Sequence, residues 1–307
     1  MLRIPVASLF PVLLALSGVP AIPGQAQSAE QAETISAKPS QSRLPLGIYD
    51  PDKRFKRKKK MSYEHLFVDW TDWHVIWLRK KVRYATRRGR EILMTVEPWA
   101  EGASSSNGDT LFGDILNGDY DTHIASVCAE VALIEGRPLV RWGHEMEEVT
   151  GRYPWAREDS AGYIAAFRHF VTQCRPIAPK ARFVWSPLGH APLDNYYPGD
   201  GYVDFVGLPI YSYQKADRKW YGRDRTFKEA VAEKYNRVEH FKKPVILAEL
   251  GVEGSRNYEK RWLKRLKTAG TKFPLLEAML YFNMREKAAW PDGLGKPDWR
   301  VKPKHLR

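Results

Sequence analysis

A single (β/α)8 barrel is the fold that this sequence predicts, on three observations: eight short apolar or β-branched runs recur after Leu44, segments of helical periodicity separate several of them, and residues 44–307 are of the size one such barrel fills. The runs, in order, are Leu46 to Tyr49, Leu66 to Trp70, Ile92 to Val96, Leu139 to Trp142, Phe183 to Trp185, Val203 to Leu208, Val245 to Leu247 and Ala278 to Phe282. Their lengths and their Val, Ile, Phe and Trp content suit buried parallel strands. Helical spacing is clearest over His74 to Arg88, Thr122 to Glu135, Ser160 to Cys174, Phe227 to Phe241 and Tyr258 to Leu266. Strands alternating with helices imply right-handed crossovers and a parallel sheet. The first and fifth units show no long helix, which keeps an open doubly wound sheet as the alternative. The length alone also allows two domains, but eight units favour one barrel.

Ahead of these units, Arg3 precedes an apolar run from Ile4 to Ala15, and Gly24 and Ala26 stand in the spacing of a signal-peptidase site. Residues 1–26 therefore read as a signal peptide, 27–43 as a flexible polar leader and 44–307 as the barrel domain. Pro5, Pro11, Pro20 and Pro23 argue against the alternative of an uncleaved membrane anchor. No second stretch of spanning length follows, so a secreted or periplasmic protein without a stable membrane span is expected. Cys128 and Cys174 lie in two helical segments without metal spacing; one bridge or two buried thiols both fit.

Hydrophobic residues at 43% and charged residues at 28% are ordinary for a folded domain and exclude disorder or a fibrous repeat. The formal charge of +13 favours acidic partners, and 11 tryptophans provide flat apolar rings of the kind that line sugar clefts. A dense basic run, Lys53, Arg54, Lys56, Arg57, Lys58, Lys59 and Lys60, follows the first strand, where a barrel would place it on the active face. It reads either as a contact for an acidic or cell-surface glycan or as a solvated loop.

In a barrel, chemistry gathers at the C-terminal ends of the strands. Those ends carry Tyr49 and Asp50, Asp69 and Trp70, Glu97 with Trp99, His144 with Glu145, Trp185, Tyr211, Glu249 and Asn283. Glu145 and Glu249 follow the fourth and seventh strands and so can face each other across the mouth. Two carboxyls about 5 to 5.5 Å apart are what retaining glycoside hydrolysis requires.

Several segments at these strand ends resemble glycoside hydrolase family 26 of clan A, a family of β-mannanases with some mixed-linkage β-glucanases. They are Thr95-Val96-Glu97-Pro98-Trp99, Arg141 to Met146, Val184-Trp185-Ser186-Pro187, the stretch from Tyr196 to Asp204, Tyr211, and Ala248-Glu249-Leu250-Gly251. The resemblance implies a retaining endo-β-glycanase in which Glu145 is the acid/base and Glu249 the nucleophile. It implies a protonated Glu145 in a less polar setting, and an ionised Glu249 held by Tyr211 and Arg141. His144 would contact sugar or orient the site, or else be a satisfied buried histidine; Trp99, Trp155 and Trp185 are candidate stacking platforms or core residues; Glu97 is a candidate partner for sugar hydroxyls or for a structural salt bridge with a neighbouring arginine, and Asn283 a candidate for sugar hydroxyls. The chain departs from the family pattern in three places. Glu147 and Glu148 follow the His-Glu-Met segment, strand five continues as Pro187-Leu188-Gly189, and strand eight has no tryptophan. These departures weigh on mannan specificity rather than on hydrolysis, and a bacterial exopolysaccharide is a compatible substrate.

A catalytically weak carbohydrate-binding or exopolysaccharide-assembly protein on the same barrel is the rival reading, because fold does not fix function. Two carboxylates retained at facing strand ends argue against it. Helix-turn-helix, zinc-finger and aromatic RNA-binding motifs are missing, so nucleic acid is not an expected partner. Without a Gly-rich phosphate loop or a His/Cys/Asp cluster at ligand spacing, neither a cofactor nor a metal is expected.

Overall fold

The computed structural model describes residues 43–58, 60–101, 110–148 and 150–306. The expected signal peptide and leader, apart from Arg43, and Lys59 of the basic run lie outside the described residues. Eight parallel strands close into one barrel in chain order. They are β1 (Leu46–Tyr49), β2 (Tyr63–Asp69), β3 (Glu91–Glu97), β4 (Leu139–Trp142), β5 (Arg182–Trp185), β6 (Phe205–Tyr213), β7 (Val245–Glu253) and β8 (Leu276–Phe282). Closure by β1 against β8, register Leu46 to Met279, decides against the open sheet.

The helices outside it are α1 (Val75–Thr86), α2 (Leu111–Asn117), α3 (Asp121–Ala132), α4 (Ser160–Ile177), α5 (Gln214–Tyr221), α6 (Phe227–Tyr235) and α7 (Arg256–Arg265). Local chemistry starts several of them. Asp159 caps α4 through the Gly162 amide, and Thr226 and Glu229 form a capping box on α6. Helices α2 and α5 escape a reading by periodicity because each is under three turns. Cys128 and Cys174 are bridged, joining α3 to α4 and resolving the two readings left open above.

The interior is layered by the two-residue alternation of strand side chains. Leu93, Leu139, Val184, Phe205, Ile246, Ala248, Ala278 and Leu280 form an apolar plug inside the barrel. One inward step further along the strands stand Thr95 on β3 and Arg141 on β4, with Ser186 just beyond β5; all three are buried. The carboxylates cap this polar layer.

The basic run departs from its expected place. Among the described residues no helix follows β1, and the described part of the run travels down the outside from the C-terminal end of β1 toward the start of β2. Buried Phe55 anchors it, Arg88 beyond the end of α1 donates to the Lys56 carbonyl at 3.0 Å, and Lys58 reaches the Pro303 carbonyl at 2.9 Å. Its later part thus packs beside the end of the barrel opposite the active face.

Candidate active site

Arg141 is the foundation of the site. Its side chain is buried within the barrel, where an unpaired charge would be severely penalised, and three acceptors surround it. Nε donates to Thr95 Oγ1 at 2.7 Å, Nη1 to Ser186 Oγ at 3.5 Å and Nη2 to Glu249 Oε1 at 2.5 Å. Thr95 is itself bonded to the His65 ring at 2.7 Å, and burial keeps His65 well below its usual titration range, in the neutral form.

Glu249 reaches this arginine through an irregularity in β7. Gly207 pairs with Ile246 while Pro209 pairs with Glu249, and on the other side Leu247 pairs with Met279 while Leu250 pairs with Tyr281. Both neighbours therefore count one extra residue in β7, a β-bulge between Leu247 and Leu250. Ala248 belongs to the apolar plug, and the bulge turns the next side chain inward as well. The second oxygen of Glu249 accepts from Tyr211 Oη at 2.5 Å. Gly251 makes this contact possible: a Cβ there would stand 2.6 Å from the Tyr211 ring and 2.9 Å from Trp299.

Glu145 has the opposite environment. It is 6% exposed, its carboxyl takes no hydrogen bond among the described residues, and its backbone lies at φ 56°, an unusual conformation for a non-glycine residue. Gly143 also has positive φ, and the Glu145 amide donates to the Ser186 carbonyl at 2.8 Å, fixing this turn. Burial, and then the charge of Glu249, push the Glu145 carboxyl up to about 7. The two carboxyls thus feel each other across the mouth, one hydrogen-bonded on both oxygens and the other inclined to keep its proton.

Around this pair, His144 is buried and neutral, its titration pushed well down by burial, and its Nδ1 has no partner among the described residues. Its ring stands 5.0 Å from that of Tyr153 and 5.8 Å from that of Trp155. Glu97 caps β3 and meets no arginine in an ion pair among the described residues; Trp99 Nε1 donates to it at 3.3 Å, and burial raises its carboxyl above the usual range. Trp99 stays partly exposed beside it. Arg141, Tyr211, Glu97, Trp99 and His144 are thus brought together with the two catalytic candidates.

Three of the expected sugar contacts are placed differently. Trp185 is 0% exposed and faces out of the barrel, packed edge-on against Tyr197 and Phe241, because inward Val184 sends its neighbour to the helical layer. Trp155 is equally buried; its Nε1 donates to the His144 carbonyl at 2.7 Å, so it supports the loop that carries the acid. Asn283 is buried with both ends of its amide engaged, donating to Asp50 Oδ1 at 2.9 Å and accepting from the Val301 amide at 2.8 Å. All three are structural.

The departures from the family pattern also find places. Glu147 is buried, and its carboxylate accepts from the amides of Leu188 at 2.9 Å, Gly189 at 2.7 Å and His190 at 3.2 Å, tying the loop after β4 to the loop after β5. Glu148 accepts from the Thr150 amide at 3.0 Å and closes its own turn. A tryptophan missing from β8 is supplied just after it by Trp290, which packs near Tyr211, Tyr213 and Trp299. Tyr153, stacked on Trp155 with centroids 4.7 Å apart, was invisible in sequence because it lies in an irregular loop. So was Phe67, whose strand showed only an apolar pattern; it stands edge-on to Tyr49, one of the strand-end residues named above, which stacks on Phe282.

A closed parallel barrel with a facing carboxyl pair at its C-terminal mouth defines an architecture shared with glycoside hydrolases, and comparison with known proteins agrees. No protein-family profile matches the chain. A family 26 protein of Muricauda superposes with a TM-score of 0.61 at 14% identity, covering 79% of each chain. The family 26 β-mannanase of Bacteroides ovatus gives 0.60 at 17% identity and covers 87% of each. Among curated proteins, endoglucanase H of Acetivibrio thermocellus is 26% identical over 253 residues, and a β-1,3-xylanase of a Vibrio species is 26% identical over 123. These alignments cover 76% and 38% of this chain but only about a quarter of the relatives, 26% and 25%. The fold is thus shared with these family 26 proteins over most of the chain.

Proposed function

We propose that the protein is an exported retaining β-glycanase that cleaves a β-linked polysaccharide by double displacement. The observation that carries the reading is the division of environments between Glu145, dry and pushed up to about 7, and Glu249, gripped by Arg141 and Tyr211. In the first step Glu145 gives its proton to the glycosidic oxygen as that bond breaks, and Glu249 attacks the anomeric carbon. In the second, Glu145, now a carboxylate, takes a proton from water as the water displaces Glu249 and regenerates both groups. Arg141 and Tyr211 hold the nucleophile in one orientation throughout, and Trp99, Glu97 and His144 line the sugar's path.

A β-mannan-like chain, a mixed-linkage β-glucan or a bacterial exopolysaccharide fits this site, in keeping with the endoglucanase, xylanase and mannanase among the similar proteins. Export is supported by the signal-like residues 1–26 and by the Cys128–Cys174 pair, which suits an oxidising compartment. The test is product release from soluble β-mannans, mixed-linkage β-glucans, xylan and acidic exopolysaccharides, with the anomer released followed by NMR. Oligosaccharides of retained configuration that disappear in Glu249→Ala support the reading. Glycan binding without cleavage would instead favour the non-catalytic binding or assembly role.

A further inference from the structure

We propose that Trp220 on α5 is a distal glycan-binding platform that receives the polysaccharide chain beyond the catalytic centre; this rests on the β-glycanase reading. Trp220 is 44% exposed, although burying an indole is strongly favourable and most tryptophans here are buried. Its exposure is not looseness. Nε1 donates to Asp292 Oδ2 at 2.7 Å, and the adjacent Lys219 donates to the Asp292 carbonyl at 2.7 Å, so the end of α5 and the loop after β8 clamp each other and fix the ring. Asp292 holds its place at φ 58°, a conformation uncommon for a side-chain-bearing residue.

The ring also continues the site. Tyr211, hydrogen-bonded to Glu249, stands with its centroid 6.5 Å from Trp290; Trp290 in turn lies parallel to Trp220, 5.9 Å away at 12°. The aromatic path therefore runs from the nucleophile outward and ends on a half-exposed indole, with Lys219 and Asp292 beside it as partners for hydroxyls. Pyranose rings present flat C–H faces and a rim of hydroxyls, which is the surface that a fixed indole bordered by polar groups recognises. A ligand of this chemistry must be long enough to span from Glu249 to α5, so the platform selects polymer over short fragments.

The test compares kcat/KM on the cleaved polysaccharide with kcat/KM on a short aryl glycoside of the same sugar, for wild type, Trp220→Ala and Trp220→Tyr. We expect Trp220→Ala to lower the polymer-to-fragment ratio roughly fivefold or more, and Trp220→Tyr, which keeps an aromatic face, to recover most of it. In a second measurement, made on Glu249→Ala so that nothing is cleaved, calorimetry with oligosaccharides of increasing length should show the gain on lengthening disappear when Trp220→Ala is added. An unchanged ratio together with unchanged length dependence, in a variant with wild-type circular dichroism, overturns this inference and leaves the glycanase reading standing. Wild-type protein that neither cleaves nor binds any glycan overturns both.

Discussion

Replacing Glu145 by Gln should stabilise the protein at alkaline pH while leaving it inactive, and the size of the effect follows from the site. The carboxyl is lifted from the usual 4.5 to about 7 by burial first and by the Glu249 charge second. A group whose folded pKa is raised contributes stability that is complete below the unfolded value and is lost as pH rises through the folded one. For these two values the loss between pH 5 and pH 8 is on the order of 2 to 3 kcal/mol. The glutamine has nothing to ionise and escapes this loss. Unfolding free energies of the two proteins, measured with denaturant at pH 5 and pH 8, should therefore diverge by roughly 2 to 3 kcal/mol in favour of Glu145→Gln at the higher pH. For a domain of this size that corresponds to a melting-temperature difference of about 5 °C or more. Taking the difference between the proteins cancels the groups that titrate over the same range without interacting with Glu145. Curves that stay parallel from pH 5 to pH 8 would mean that Glu145 is already ionised without cost, which would remove the acid from the proposed mechanism.

The same ionisation predicts that kcat/KM falls above about pH 7 with a slope of one proton, since the free enzyme must carry its acid protonated; a flat profile to pH 9 would refute it. Tyr211→Phe deletes a donor to Glu249 without changing the ring, and kcat should drop roughly tenfold to a hundredfold while the melting temperature stays near that of wild type. Glu147→Ala leaves the amides of Leu188, Gly189 and His190 without their acceptor and should cost about 2 kcal/mol in a denaturant titration. Opening the Cys128–Cys174 bridge, which closes a 46-residue separation, should lower stability by up to about 4 kcal/mol in melts with and without reductant.

Much of this is legible in the sequence. Short runs buried on both faces have a composition that amphipathic helices lack, so all eight strands, and Glu145 and Glu249 as the carboxyls that follow the fourth and seventh apolar runs, are expected from local pattern. Trp185 and Asn283 show where that reasoning stops. Both lie at strand ends, but whether such a residue looks into the mouth or away depends on the parity of its neighbours in the closed barrel, and Val184 already occupies the inward position beside Trp185. The platform at Trp220 depends on a loop after β8 folding back against α5, a contact between residues 72 positions apart that no local signal encodes.

Glu249 makes the division clearest. Its chemical type, its place just after the apolar run Val245 to Leu247 and its likeness to a nucleophile were properties of the sequence alone, although β7 itself runs on to Glu253. Strict alternation from Ile246 and Ala248, both in the apolar plug, would have turned Glu249 outward into the helical layer. Only the pairing of β7 with both neighbours creates the bulge that brings it inward to Arg141 and Tyr211, because a bulge is a mismatch between strands and exists only once they are paired.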